Sequence, residues 1–376
     1  MRGKKKICVF TGSRAEYGLL KPLLEDIKKE PLFDLQILVS GMHLSHEFGL
    51  TYREIENDGF VINEKVEMLI CSDSPVGMAK SIGIGIVGYT DALQRLKPDL
   101  AIVLGDRYEA LAFALTSYTM GIKLAHLYGG ETTLGSLDDG FRNAITMLSS
   151  IHFTSTEKYR ENLVKKGISK DRVFTVGALG IDNIMRMKLL SKNELEKELG
   201  VNFMKKNLLI TFHPETKEHG KNGRYLNELL KSLDELDDTL LIFTKSNSDA
   251  EGRLINTIIE EYVRKNKNKA VVFSNLGQKK YLSIIKLVDA VVGNSSSGII
   301  EAPSLKTPTI NIGDRQKGRI KARSVIDCPA KYEEIKKALN LLYDKNFRES
   351  IKRIKNPYGD GNASKRILDI LKKIKW

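Results

Sequence analysis

The chain has 376 residues, and its 60 Lys and Arg residues against 47 Asp and Glu residues give a formal net charge of +13. A hydrophobic fraction of 41% and a charged fraction of 28% exclude a largely disordered chain, and the length predicts two domains or three. The longest apolar stretch without a charge, Ala110–Ile122, is shorter than the roughly 20 residues of a membrane-spanning helix, so none is predicted.

The first half of the chain alternates short apolar runs with helical patterns, which predicts a parallel sheet built from strand–helix units. The continuous apolar run at Pro98–Asp106 is typical of a strand buried on both faces. The predicted strands are Lys5–Arg14, Phe33–Gly41, Pro98–Asp106, Lys123–Gly130, Ile151–Thr156 and Val173–Gly177. A helical pattern at Glu47–Asp58 follows the second of these strands.

The alternation starts again after Gly180–Lys206, a charged helical stretch in which we place the domain boundary. The predicted strands of the second half are Asn207–Pro214, Leu240–Ser246, Ala270–Leu276, Ala290–Ser296 and, as the last, Thr307–Gly313. Two such halves predict an α/β protein with two Rossmann-like, doubly wound domains that face each other across a cleft. We assign residues 1–185 and 186–376 to them, and the last helix can pack back on the first domain.

Several common classes of function are disfavoured. Cys8, Cys71 and Cys328 are far apart and lack metal-ligand spacing, which predicts reduced core residues and no metal site. No basic run is interleaved with aromatic residues, so the positive charge favours a small anion such as a nucleotide over nucleic acid. The basic opening lacks the apolar core of a secretory signal, so we expect a cytoplasmic protein.

The glycine pattern at Gly83–Gly88 matches the spacing of a dinucleotide-binding loop. That loop must follow a strand directly, whereas the residues on both sides of this pattern are predicted to be helical. We therefore interpret it as a closely packed glycine-rich helix, and expect no cofactor.

A more specific motif, GNSSSG at Gly293–Gly298, lies between a predicted strand and a predicted helix. Small residues at this point let backbone N–H groups and the hydroxyls of Ser295 and Ser296 surround a phosphate. The alternative is a serine-rich helix cap without a ligand. Glu301, one turn further on, is a candidate to accept hydrogen bonds from a ribose diol; the alternative is a solvent-facing carboxylate.

Cationic or potentially cationic residues follow predicted strands in both halves. They are Arg14, Arg107, His213 and Arg315. Together they could neutralise a pyrophosphate without a metal ion. His43 is a candidate sugar contact; His43 and His46 could instead form a metal pair, but no third ligand accompanies them.

Carboxylates provide candidates for acid–base chemistry. Asp106 and Glu131 follow neighbouring predicted strands, so their side chains are expected to converge, and Asp138 and Asp139 lie on the loop into the next helix. Acidic residues also suit a helix N-terminus without any further role, which is the alternative for Asp138 and Asp139. Clustered carboxylates raise one another's pKa and can act as general base and acid.

Taken together, the motifs resemble those of the hydrolysing UDP-N-acetylglucosamine 2-epimerases. The segments that carry the resemblance are TGSRAEYGLL, PDLAIVLGDRYE, GGETTLGSLDDGFRNAIT, TFHPET and GNSSSGIIEAPSLKTPTINIGDRQKGR, and they span nearly the whole chain. The resemblance implies a glycosyltransferase-B arrangement, a nucleotide-sugar substrate held mainly by the second domain, and a homodimer or homotetramer.

The resemblance also implies roles for individual residues. Nucleotide contacts fall on Arg14, Arg107, His213, Asn247, Ser295, Ser296, Glu301 and Arg315, and catalytic carboxylates fall on Asp106, Glu131, Asp138 and Asp139. Arg142-Asn143 stands where relatives often have Arg-His, so no role is assigned to a histidine there. The segment EKVEMLICSDSP resembles relatives that act on N,N′-diacetylbacillosamine in the legionaminic acid pathway, which leaves the sugar open.

The implied reaction is anti elimination of the nucleoside diphosphate to give a 2-acetamidoglycal, followed by addition of water. His213, Arg107 and Arg315 would stabilise the departing diphosphate. Two other classes stay open at this point: a glycosyltransferase on the same architecture, and a nucleotide-sugar sensor without catalysis.

Overall fold

The computed structural model describes residues 3–70, 74–132, 137–215, 220–246, 252–274 and 276–374. The chain divides into two compact units. The first unit comprises Met1–Asn183 and Tyr358–Trp376, and the second comprises Ile184–Pro357. Within the described ranges, no helix is both long enough and apolar enough to cross a membrane.

The described part of the first unit forms a parallel sheet of seven strands. The strands are β1 (Lys5–Thr11), β2 (Phe33–Ser40), β3 (Glu64–Val66), β4 (Leu100–Leu104), β5 (Lys123–Leu127), β6 (Ile151–Thr154) and β7 (Val173–Thr175), in the order β3-β2-β1-β4-β5-β6-β7. The helices are α1 (Arg14–Lys29), α2 (Tyr52–Asn57), α3 (Pro75–Leu96), α4 (Tyr108–Thr119), α5 (Leu137–Leu148), α6 (Glu157–Lys165) and α7 (Leu179–Arg186).

The described part of the second unit forms a parallel sheet of six strands. The strands are β8 (Lys206–Thr211), β9 (Thr239–Thr244), β10 (Ala270–Phe273), β11 (Ala290–Gly293), β12 (Thr309–Ile312) and β13 (Val325–Cys328), in the order β10-β9-β8-β11-β12-β13. The helices are α8 (Lys192–Leu199), α9 (Asn222–Asp234), α10 (Gly252–Lys265), α11 (Gly277–Leu287), α12 (Ser296–Ile300), α13 (Tyr332–Leu342) and α14 (Lys345–Lys352). The last helix, α15 (Ala363–Lys373), belongs to the first unit.

The central strand β1 shows why its apolar run is continuous. Ile7 and Val9 lie in a core shared with α1 and α15, whereas Cys8 and Phe10 lie in a second core shared with α3 and α4. A strand covered by helices on both faces has no side for polar residues. The two parallel sheets with their helices confirm the predicted fold class of two doubly wound α/β domains.

Three local predictions differ from the structure. The sheet of the second unit does not end with the strand after Thr307, because β13 adds an edge strand, and β3 likewise adds an edge strand to the first unit. Both are short and carry polar residues, which hides the apolar alternation. The helix predicted from Glu47 begins only at Tyr52, since Gly49 and Leu50 adopt φ values of 83° and 50°, which no α-helix contains.

One buried carboxylate binds the first turn of the last helix, α15. Asp182 accepts hydrogen bonds from the backbone N–H groups of Ala363 at 2.9 Å and Ser364 at 2.8 Å, and from the Ser364 hydroxyl at 2.7 Å. These N–H groups lie in the first turn of the helix, where no partner within the helix is available. Beside them, the Ala178 N–H donates to the Tyr358 carbonyl at 2.8 Å.

We expect Asp182→Ala to lower the free energy of unfolding by about 2–4 kcal/mol, because it leaves buried donors of the first turn of α15 without an acceptor. Urea denaturation measures the loss. The matched control is Asp360→Ala, which removes an exposed ion pair with Arg366 and is expected to cost less than about 1 kcal/mol. Equal stability of the two variants would contradict the role given to Asp182.

Candidate functional site

In each unit the strand order reverses at one place, between β1 and β4 in the first unit and between β8 and β11 in the second. At such a reversal the connections leave in opposite directions, and the carboxyl ends of the two strands border a crevice in which ligands bind. The polar residues predicted from the sequence follow these strands or their neighbours.

In the second unit, the fully buried side chain of Asn294 joins the ends of β8 and β11. Its Oδ1 accepts from the His213 N–H at 2.7 Å, and its Nδ2 donates to the His213 carbonyl at 2.8 Å. Gly293, just before it, has a φ of 132°, and a Cβ there would lie 2.0 Å from the Thr211 carbonyl oxygen. Only glycine therefore fits between these two strands.

Arg315 lies beside this junction. Its Nη1 donates to the Asn294 carbonyl at 3.1 Å, and the Gln316 side chain donates to the same oxygen at 2.9 Å. The backbone before it is fixed by the buried carboxylate of Glu215, which accepts from the Asp314 N–H at 2.9 Å and the Arg315 N–H at 3.3 Å. Arg315 is therefore held close to the end of β11.

The serine-rich motif opens α12. The Ser295 hydroxyl accepts from the Ser297 N–H at 3.4 Å, so Ser295 is a helix cap, and Ser296 is the first helical residue. A Cβ on Gly298 would lie 2.6 Å from the Thr309 methyl group, so this glycine permits close packing of α12 on β12. Capping of α12 and binding of a phosphate are compatible, since both use the first turn of this helix. The phosphate contact stays a prediction.

His213, at the end of β8, is neutral at pH 7. Burial, together with the nearby charge of Arg315, lowers its pKa to about 4, and its Nδ1 lies 3.3 Å from the Ser246 hydroxyl. It therefore contributes hydrogen bonding rather than the positive charge that the sequence analysis allowed for. Burial raises the pKa of Glu301, and the charge of Arg319 partly opposes this. Asn247 lies outside the described residues.

In the first unit, Asp106 follows β4 and pairs with the buried guanidinium of Arg142 on α5. The preceding residue, Gly105, is held by His126, whose Nε2 lies 2.8 Å from the Gly105 carbonyl and whose Nδ1 lies 3.1 Å from the Thr146 hydroxyl. Because a carbonyl only accepts, Nε2 carries the proton. Burial lowers the pKa of His126 to about 3, so it stays neutral.

The other predicted carboxylates follow the carboxyl ends of strands, as Asp106 does. Glu131 follows β5, and its Oε1 accepts from the Ser155 hydroxyl, after β6, at 2.7 Å. Asp138 is exposed and Asp139 half-buried in the first turn of α5, the position that also suits the alternative of a helix N-terminus. The ion pair between Asp106 and Arg142 therefore links Asp106 to α5, the helix that carries Asp138 and Asp139.

Two predicted ligand contacts already have protein partners. Arg14, the first residue of α1, forms an exposed ion pair with Glu54 at 3.0 Å. His43 is fully buried, and its ring nitrogens lie 3.1 Å from the Thr11 hydroxyl and 2.8 Å from the Thr51 hydroxyl. A direct contact between His43 and a sugar would require one of these hydrogen bonds to open.

Arg107 reveals two residues that the sequence analysis missed. Its Nε and Nη2 donate to the two carboxylate oxygens of Glu109, at 3.1 and 2.9 Å, and the buried carboxyl of Glu16 lies nearby on α1. The sequence signal was present, since both glutamates stand in the first helical turn after a strand. Acidic residues are so common there that the position alone does not distinguish them.

The described ranges contain no group of three metal-ligating side chains close enough to hold an ion. Cys8 and Cys328 are buried free thiols, and Cys71 lies outside the described residues. The polar groups at the two strand-order reversals are therefore arginines, neutral histidines, small hydroxyl residues and carboxylates, a set suited to holding an anion and moving protons.

Comparison with known proteins identifies the family of the chain. The family model for UDP-N-acetylglucosamine 2-epimerase matches residues 25–372. A GDP/UDP-N,N′-diacetylbacillosamine 2-epimerase (hydrolyzing) of Campylobacter jejuni is 44% identical over 92% of this chain and 90% of its own length. The polysialic acid biosynthesis protein P7 of Escherichia coli is 36% identical over 98% of this chain and 94% of its own length.

Among solved structures, the UDP-GlcNAc 2-epimerase of Neisseria meningitidis, bound to UDP-GlcNAc, is similar in fold. Its TM-score is 0.78 at 20% identity, with 98% of this chain and 100% of that chain covered. The fold defines a two-domain α/β protein with two parallel sheets. More particularly, the chain belongs to the UDP-N-acetylglucosamine 2-epimerase family, as the sequence motifs predicted.

We expect acid to destabilise the first unit, because three of its histidines are buried and neutral. Burial lowers the pKa of His43 and His152 to about 4 and that of His126 to about 3. The unfolded chain, with ordinary values of about 6.5, then binds more protons as the pH falls from 6.5 to 4. The free energy of unfolding should fall across this window, by on the order of 1 kcal/mol or more for each histidine.

Urea denaturation at several pH values between 7.5 and 4.5 measures this loss. Glu16, whose pKa is raised, acts in the opposite direction but is one group against three. The exposed His46 provides the control, since His46→Gln should leave the decrease in the free energy of unfolding with falling pH unchanged. A free energy of unfolding that stays constant below pH 6.5 would contradict the assignment of neutral histidines.

Proposed function

We propose that the protein is a hydrolysing 2-epimerase that acts on a nucleotide-linked 2-acetamido sugar. The observation that carries the proposal is the 44% identity, over 92% of the chain, to a hydrolysing 2-epimerase. The residue types at the strand ends support it, because arginines and a serine-rich helix start suit a diphosphate and carboxylates suit proton transfer.

The hydrogen on carbon 2 of such a sugar is not adjacent to a carbonyl, so its acidity is low. Its removal becomes practical when the bond between carbon 1 and the diphosphate oxygen breaks in the same step. This anti elimination releases the nucleoside diphosphate and leaves a 2-acetamidoglycal. Water then adds its hydroxyl at carbon 1, and protonation of carbon 2 on the opposite face gives the epimer.

Stabilising the departing diphosphate is the largest electrostatic task in this reaction. We assign it to Arg107, Arg315 and the backbone N–H groups at Ser295 and Ser296. Neutral His213 contributes a hydrogen bond, which is consistent with its lowered pKa of about 4. Arg14 and Glu301 complete the proposed nucleotide contacts, Glu301 as acceptor for the ribose.

The proton transfers fall to the carboxylates of the first unit. Asp106 forms an ion pair with the buried guanidinium of Arg142, which fixes its carboxylate after β4. Glu131 is half-buried and bonded to a neutral hydroxyl, and Asp138 and Asp139 stand in the first turn of a helix. One of these groups removes the proton from carbon 2, and another delivers a proton to it.

For the sugar, we favour N,N′-diacetylbacillosamine linked to UDP or GDP, because the relative at 44% identity bears that name. UDP-N-acetylglucosamine is the second candidate, because the family model that matches residues 25–372 is that of UDP-N-acetylglucosamine 2-epimerase. Turnover of the three nucleotide sugars in deuterated water, with no acceptor added, tests the proposal. Deuterium at carbon 2 of the released sugar is expected; intact substrate in every reaction would favour a glycosyltransferase or a sensor.

We expect Glu131→Gln to reduce turnover by about 100-fold or more while nucleotide binding persists, because the variant removes an ionisable group and keeps its size and its hydrogen bond to Ser155. Initial rates and UDP binding by calorimetry separate the two effects. The exposed Glu161→Gln on α6 is the matched control and should be fully active. Wild-type turnover in Glu131→Gln would refute the assignment.

We also propose that the protein forms a homo-oligomer through α3, α4 and α5, which pack side by side. Exposed apolar side chains on these helices are Val76, Ile84, Val87, Leu115, Tyr118, Leu137 and Met147. Apolar side chains grouped on neighbouring helices are typical of surfaces that another chain covers.

Introducing charge on this face should therefore weaken assembly. We expect the double variant Ile84→Asp/Val87→Asp to dissociate into monomers, because a buried unpaired carboxylate is costly. Light scattering gives the mass. Val61→Asp adds one carboxylate at an exposed valine outside these helices and should leave the mass unchanged. A monomeric wild type, or an intact oligomer of the double variant, would contradict the proposal.

A further inference from the structure

Two carboxyl groups are buried on the interior side of the partly exposed Arg107 side chain. Glu16 on α1 is 7% exposed and Glu109 on α4 is 1% exposed. Both contact Gly12, where a Cβ would lie 3.4 Å from the Glu109 Cβ and 3.4 Å from the Glu16 Oε2. Gly41, with a φ of 58°, closes the cluster, since a Cβ there would lie 3.1 Å from the Glu109 Cγ. Two glycines thus provide the space that the carboxyl groups occupy.

The hydrogen bonds of the two carboxyl groups are unequal. Glu109 uses both oxygens to bind the Arg107 guanidinium. Glu16 accepts one hydrogen bond, from the Gly12 N–H to Oε2 at 2.7 Å, while its Oε1 is buried without a hydrogen-bond partner among the described residues. A buried carboxylate oxygen without a donor is costly, whereas a protonated carboxyl is much less so.

The charges around Glu16 lead to the same conclusion. The single positive charge of Arg107 acts on both Glu109 and Glu16, and Asp106 adds further negative charge from the turn before α4. Tyr89 on α3 and Tyr108 at the start of α4 also face the cluster, and burial raises the pKa of both, so neither is charged at pH 7. Burial, followed by the charge of Glu109, raises the pKa of Glu16 to about 7.

We propose that Glu16 and Glu109 form one proton-binding unit behind Arg107, and that a diphosphate bound at Arg107 draws a proton from solvent into this unit. This inference rests on the proposed function, in which Arg107 contacts the diphosphate. The added negative charge disfavours the ionised form of a neighbouring carboxyl. Glu16 is therefore a positioning residue, because its protonation state determines how much negative charge lies beside the Arg107 guanidinium.

The sign of the pH effect follows from this coupling. Binding the diphosphate shifts the carboxyl pair toward its protonated form, so the affinity should fall as the pH rises from 6 to 8, by up to about tenfold for a shift of one pKa unit. His43, His126, His152 and His213 titrate well below this range. They therefore do not produce the effect.

Calorimetry with UDP-glucose tests the coupling, because neither phosphate of this diester titrates near pH 7. Binding is measured at pH 7 in buffers of low and high ionisation enthalpy, and the difference in heat gives the protons taken up. We expect uptake of up to about half a proton for the wild type and for the control Glu161→Gln. Glu16→Gln, which mimics the protonated carboxyl, should bind with no uptake and with an affinity that is constant from pH 6 to 8.

Equal proton uptake in Glu16→Gln and the wild type, or none in the wild type, would overturn the inference while leaving the proposed function intact. If the wild type binds no UDP-glucose, the same titrations are made with GDP-glucose; binding of neither would overturn the proposed nucleotide site and the coupling with it. Infrared spectra of the protein alone give an independent readout. A protonated carboxyl band that titrates near pH 7 and is absent from Glu16→Gln is expected, and its absence from the wild type would overturn the proton-binding unit.

Discussion

Burial of both faces of the two parallel sheets is the constraint on which the rest of the structure depends. It makes the strands continuously apolar, as in β1, and it leaves the strand ends as the places where polar side chains can gather. The strand-order reversals then decide which ends are neighbours. In the second unit the Asn294 side-chain amide joins the ends of β8 and β11, because it bonds both the N–H and the carbonyl of His213.

Charge in these neighbourhoods is compensated at close range. Arg142 pairs with Asp106, Arg107 with Glu109 and Arg14 with Glu54. Arg315 instead donates from its side chain to the Asn294 carbonyl, and its backbone N–H donates to the Glu215 carboxylate.

The sequence was sufficient for the fold class, since apolar runs bounded by glycine and polar residues mark buried parallel strands wherever they are long. It failed at β3 and β13, because edge strands are half-exposed and carry polar residues. It also identified the residues that follow each strand, such as Asp106 and Glu131.

What the sequence did not contain is which strand ends meet. Glu16 follows β1 and Glu109 follows β4, 93 positions later in the chain, and only the pairing of these strands makes the two glutamates neighbours. The environment of His43 was likewise hidden, because Thr51, which bonds its ring, lies beyond a turn whose course depends on left-handed residues. The sequence shows the residue types, but it does not show which residues far apart in the chain are in contact.

The anchoring of α15 has a consequence for biosynthesis. Its side chains Ile367 and Leu371 cover the same core as Leu20 and Leu23 of α1, yet the whole second unit is translated between them. The first unit to emerge from the ribosome is therefore the last to be completed, and its nascent form exposes an apolar groove until α15 arrives. A chain interrupted late in translation would retain a finished second unit beside an open first one, a species that chaperones and proteases readily recognise.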